Sequence, residues 1–85
     1  MNIGKLLTRS AASFPDHLAI SYGGRETDYR RFNERANQLA SALRGRGVRP
    51  GDHVSLLMHN RPEMLESMFA CFKLGAAAVP LNFRL

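Results

Sequence analysis

The stretch from His53 to Val79 constrains the fold of this 85-residue chain more than any other. His53-Val54-Ser55-Leu56-Leu57-Met58-His59 has a nearly unbroken apolar centre. That is the pattern of a strand covered on both faces, as in a parallel sheet. Asn60-Arg61-Pro62-Glu63 then carries the marks of a helix start. Asn60 can cap, Pro62 lies in the first turn, and Glu63 stands three residues on, as in a capping box. Met64, Leu65, Met68, Phe69, Cys71 and Phe72 give the helix a broad apolar face, and Gly75 is placed to end it. Ala76-Ala77-Ala78-Val79 predicts a short buried strand closed by Pro80. A strand–helix–strand unit of this length joins parallel strands by a crossover, which is right-handed almost without exception. The chain is therefore expected in the α/β class, with a sheet that is at least partly parallel.

The first half adds a helix, a hairpin and a second helix. Ile3, Leu6, Leu7, Ala11 and Phe14 share one side of a first helix that Asn2 can cap and Phe14-Pro15-Asp16 ends. Leu18-Ala19-Ile20-Ser21-Tyr22 and Arg25-Glu26-Thr27 flank Gly23-Gly24, which suits a tight hairpin turn. Asp28 is a natural N-cap for the next helix. Tyr29, Phe32, Ala36, Leu39, Ala40 and Leu43 recur at offsets of 3, 7, 10, 11 and 14, one face of three to four turns. Gly45 and Gly47 stop it, and Val48-Arg49-Pro50-Gly51-Asp52 is a turn. The predicted order is α-β-β-α-β-α-β, a β-hairpin beside a partial parallel sheet.

Composition excludes several function classes. With 45% hydrophobic and 22% charged residues, this is not a disordered tail. A single cysteine, Cys71, removes an internal disulfide framework and a cysteine-built zinc site. His17, His53 and His59 show no metal-ligand spacing. No apolar run reaches the roughly 20 residues of a transmembrane segment. Residues 1–15 hold Lys5, Arg9, Ser10 and Ser13 with no acid before Asp16, which a mitochondrial-type presequence would also show. The apolar spacing favours a docked helix there. A secretory signal's long apolar core is lacking, and a cytoplasmic location is expected.

Residue spacing assembles no reactive constellation. Glu63 and Glu66 are neighbours on one helix surface, but Glu63 already has a capping use, so a catalytic pair is disfavoured. His59 beside Asn60 lies at a strand end, where α/β proteins place ligand sites, and is read as an ordinary strand-end residue. Cys71 falls within an apolar arc and is read as inert. Met58, Met64 and Met68 are read as core filler. Gly45-Arg46-Gly47 with Gly51 follows a helix and precedes a strand, the reverse of a phosphate-binding order. No catalytic, cofactor-binding or metal-binding residue is assigned within residues 1–85.

Four segments resemble the adenylate-forming, AMP-binding enzymes, and the resemblance covers essentially the whole chain. Asp28-Tyr29-Arg30-Arg31-Phe32-Asn33-Glu34-Arg35-Ala36-Asn37-Gln38-Leu39-Ala40 resembles the first core motif, Thr-Tyr-x-Glu-Leu before a helix. Asp28 stands for Thr and still caps, whereas Arg31 stands for Glu and loses the reciprocal capping bond. Gly47-Val48-Arg49-Pro50-Gly51-Asp52-His53-Val54 resembles the next turn and strand, and Asn60-Arg61-Pro62-Glu63 the next helix start. Phe72-Lys73-Leu74-Gly75-Ala76-Ala77-Ala78-Val79-Pro80-Leu81-Asn82 resembles the second core motif, Leu-Lys-x-Gly before a strand and Pro. Asn82 with Arg84 is more similar to the acyl-CoA synthetase branch than to the peptide-synthetase branch.

The resemblance implies the start of a large N-terminal domain, so residues 1–85 are expected to form a single incomplete domain. It implies an acid–thiol ligase of fatty acid metabolism. A carboxylate attacks the α-phosphate of Mg-ATP to give an acyl-adenylate, and CoA then displaces AMP to give a thioester. ATP, Mg and CoA are implied for the full-length enzyme, and no cofactor for this fragment. The expected partners are the remainder of the parent enzyme, a carboxylic acid, ATP and CoA, with no nucleic acid and no transmembrane segment. Two other readings stay open: a stand-alone interaction domain using Phe69 and Phe72, and a basic nucleic-acid module using Arg30, Arg31, Arg35, Arg44 and Arg46.

Overall fold

A computed structural model describes residues 3–57 and 62–81. The elements are α1 (Ile3–Ser13), β1 (Leu18–Tyr22), β2 (Arg25–Asp28), α2 (Tyr29–Gly45), β3 (His53–Leu57), α3 (Pro62–Leu74) and β4 (Ala77–Leu81). The expected order holds. The proposed caps Asn2 and Asn60 lie outside the described residues, as do Met58, His59, Asn82 and Arg84.

Local chemistry explains most boundaries. Gly23 and Gly24 have φ of 53° and 82°, a left-handed pair that closes the β1–β2 hairpin with two residues. Asp28 caps α2, its Oδ1 accepting the Arg31 N–H at 2.8 Å. Gly75, at φ 76°, ends α3, with the Ala76 N–H donating back to the Cys71 carbonyl at 2.9 Å. The Val48 N–H donates to the Leu43 carbonyl in the same way at the end of α2.

α2 runs between two apolar clusters. Phe32 and Ala36 meet Leu7 of α1 and Ile20 of β1, whereas Ala40 meets Ala70, Cys71 and Leu74 of α3 and Ala76 before β4. Phe69 bridges toward the first cluster, edge-on to Phe32 with ring centroids 5.3 Å apart. Ala36, Ala70 and Cys71 are wholly buried, so the helices meet through small side chains at close range.

β3 and β4 pair in parallel, His53 opposite Ala77 through Leu57 opposite Leu81. Three details differ from expectation. First, the described residues cover the sheet on one face: Val54, Leu56, Ala76 and Ala78 turn inward, whereas His53, Ser55, Ala77 and Val79 are exposed. The apolar run of β3 therefore behaves as an alternation, because α2 and α3 lie on the same side. Second, β4 continues through Pro80. The Ala77 N–H donates to the Asp52 carbonyl at 2.7 Å, and by alternation residues 79 and 81 also point their N–H groups at β3. Position 80 faces the outer edge, where proline's missing donor costs no ladder bond. Third, α1 docks through Gly4 and Leu7, leaving Ile3, Leu6 and Phe14 exposed.

Candidate functional site

The charged groups that sequence reading weighed separately converge between α2 and α3. Arg31, Arg35 and Gln38 from α2 face Glu63, Glu66 and Ser67 from α3 across an open groove of about 530 Å³. Glu66 is buried at 4% exposure, its Oε1 3.6 Å from the Arg35 guanidinium. That separation exceeds a hydrogen bond, so the attraction is between charges. Glu63 Oε1 accepts from Arg25 Nη2 at 3.2 Å, tying α3 to the hairpin. Both carboxylates thus face arginines, which makes the groove an inter-element clamp. Glu63 also carries the carbonyl that accepts the Ser67 hydroxyl at 2.8 Å.

Burial of Glu66 is the feature sequence reading missed. Pro62, Glu66 and Ala70 succeed one another at four-residue intervals on the buried stripe of α3, and Leu65, expected inside, is 40% exposed. Spacing from Pro62 was the available signal; the apolar count favoured Leu65 instead.

A second polar junction joins all three helices. Lys73 Nζ donates to Thr8 Oγ1 of α1 at 2.6 Å and to Asn33 Oδ1 of α2 at 2.7 Å. Burial lowers the Lys73 pKa from its ordinary value. A lysine whose folded value is lowered destabilises the native state while charged. That penalty is present at neutral pH and fades as pH rises through the folded value toward 10.5, where the unfolded chain also deprotonates. The stability of the intact protein relative to its Lys73→Met variant is therefore expected to rise as the pH climbs from neutral toward 10.5. Urea unfolding of both proteins across that range measures it, and a constant gap would refute it.

The remaining candidates take structural places. Cys71 is wholly buried and burial raises its thiol pKa, the condition of an unreactive cysteine. Phe69 and Phe72 stack edge-on at 5.4 Å. Arg30 pairs with Asp16 at 3.0 Å, so Arg25, Arg30 and Arg35 all meet acids within the chain. Among the described residues no three His, Cys, Asp or Glu side chains converge to hold a metal ion. No helix among them is long and apolar enough to cross a membrane.

A capped hairpin–helix followed by a parallel strand–helix–strand unit, with Arg25, Arg35, Glu63 and Glu66 tying its elements together, defines an α/β scaffold segment. The chain belongs to the AMP-binding enzyme family, whose pattern it matches over residues 7–85. It is 45% identical over 83 residues to a feruloyl-CoA synthase of Amycolatopsis sp, covering 98% of this chain and 17% of that protein. It is 44% identical over 68 residues to gramicidin S synthase 2 of Brevibacillus brevis, covering 80% of this chain and 2% of that protein. Among solved structures, a putative long-chain-fatty-acid CoA ligase from Rhodopseudomonas palustris CGA009 superposes with a TM-score of 0.92 at 38% identity, over 100% of this chain and 22% of that one. The chain thus spans about a sixth to a fifth of the CoA-ligase relatives it resembles.

Proposed function

We propose that these residues are the structural opening of an ATP-dependent acyl-CoA synthetase, an enzyme that activates a carboxylic acid as its adenylate and passes the acyl group to CoA. The observation that carries this reading is the 45% identity to a feruloyl-CoA synthase across 98% of the chain. The matched segments are those that shape the helices and the parallel strand pair, not reactive groups. On this reading residues 1–85 form one incomplete domain. The bare outer face of β3 and β4, and the two sheet edges with no further strand among the described residues, support it. Glu63 and Glu66 face arginines, and no Mg site and no chemical step are assigned to the described residues. ATP, Mg, CoA and the acid are contacted elsewhere in the enzyme.

The acid is proposed to be aryl or fatty, in keeping with the feruloyl-CoA and long-chain relatives. A cytoplasmic location, where ATP and CoA are both supplied, belongs to the same proposal, and cell fractionation tests it. The catalytic test is release of pyrophosphate and formation of a CoA thioester by the intact protein, against a panel of aryl and fatty acids. Thioester formation is expected with at least one acid. Residues 1–85 alone are expected to give only the blank rate. Adenylate formation with transfer to a carrier-protein thiol in place of CoA would overturn the CoA assignment, and turnover by residues 1–85 would overturn the scaffold role.

A further inference from the structure

A second concavity, of about 390 Å³, opens where α1, α2 and α3 meet, away from the arginine–glutamate groove. Lys5 and Thr8 of α1, Asn37, Ser41 and Arg44 of α2, and Lys73 of α3 supply its polar lining. Helical spacing brings them there: Lys5 and Thr8 are three apart, and Asn37, Ser41 and Arg44 follow at i, i+4 and i+7. Three cations line the pocket and no carboxylate does. None of the three enters the ion pairs of the described residues, which engage Arg25, Arg30 and Arg35.

Scattered cations on a convex surface are simply solvated, but two features set this place apart. The lining is concave and mixes the cations with the Ser41 hydroxyl and the Asn37 amide, both able to donate to an oxyanion, while the Thr8 hydroxyl donates to the Gly4 carbonyl. Lys73 is also held in place by its bonds to Thr8 and Asn33, so one charge is positioned before any ligand arrives. Burial disfavours that charge, and an anion beside it would restore it.

We propose that this three-helix pocket binds a phosphate group, either free or carried on a small metabolite. A phosphate dianion offers acceptors on every side, Arg44 can engage it through two parallel N–H bonds, and Lys5 and Lys73 add further positive charge beside it. The site is independent of acid activation and stands whether or not that reading holds.

Calorimetric titration of the intact protein with inorganic phosphate, at ionic strength held constant with chloride, tests the proposal. Saturable binding beyond the chloride control is expected. Lys5→Gln with Arg44→Gln, both exposed positions, is expected to weaken it tenfold or more, whereas the charge-keeping pair Lys5→Arg with Arg44→Lys retains most of it. Glycerol 3-phosphate distinguishes the sources: tighter binding than inorganic phosphate indicates a phosphorylated metabolite, equal binding indicates free phosphate. Absence of a phosphate response above chloride, or an unchanged response in the doubly neutralised variant, overturns the proposal.

Discussion

Gly4→Ala is expected to destabilise the intact protein by up to about 2 kcal/mol, although alanine is the better helix former. A Cβ at Gly4 would lie 2.7 Å from the Lys73 backbone N and 2.8 Å from its Cα. Backbone atoms of α3 cannot rotate aside, so α1 must lift away, straining the Thr8–Lys73 bond and uncovering Leu7. Overpacking of this kind costs about 1–3 kcal/mol, against the roughly 1 kcal/mol that alanine gains by propensity. Gly45 provides the contrast. It is helical, has no positive φ, and nothing lies within 4 Å of the place a methyl group would take. Gly45→Ala should therefore stabilise by about 0.4–1 kcal/mol. Denaturant midpoints of the two variants are expected to move in opposite directions. A shift of the same sign in both would mean that α1 is not held against α3 through Gly4.

Arg35→Met is expected to cost about 2 kcal/mol, below the roughly 3–5 kcal/mol of a fully buried broken pair. The reduction follows from geometry: the Arg35 side chain is 37% exposed, so water partly screens the charge it leaves behind on Glu66, which is 5% exposed. Replacing both residues with methionine should recover most of the loss, because no charge is then left in the interface. A double-mutant cycle with Arg35→Met and Glu66→Met is the measurement, with a coupling of about 1 kcal/mol or more expected. Coupling indistinguishable from zero would reduce this clamp to an incidental surface contact. The exposed Arg30–Asp16 pair serves as the internal control, where about 0–1 kcal/mol is expected.

The features legible in the sequence are those decided within a few residues. Asp28 as a cap, Gly23-Gly24 as a two-residue turn and Gly75 as a helix stop each rest on local backbone geometry, and each stands where expected. The inward face of α2 was legible because Phe32, Ala36 and Ala40 keep helical spacing. What was hidden depends on distant partners. Gly4 matters only because α3 crosses there, and the Lys73–Thr8 bond joins residues 65 apart in sequence. Glu66 is inside because Arg35 stands opposite, which no single helix reveals. The bare outer face of β3 was hidden for a related reason: an apolar run suits a strand covered on both faces, but does not show that the helices of these residues cover only one of them. The phosphate pocket escaped notice because its six polar residues come from three separate helices, none carrying a recognisable loop motif.

Pro80 gives β4 an asymmetric rim. Another polypeptide laid along that outer side would meet a carbonyl at position 80 but no hydrogen to match it, and each rung on either side would have to stretch around the gap. The opposite rim, along β3, carries no such interruption in its described residues. The little sheet is thus discouraged from growing one way and left receptive the other, so a single imino acid biases the direction in which the layer can widen and protects one flank against fibre-like stacking.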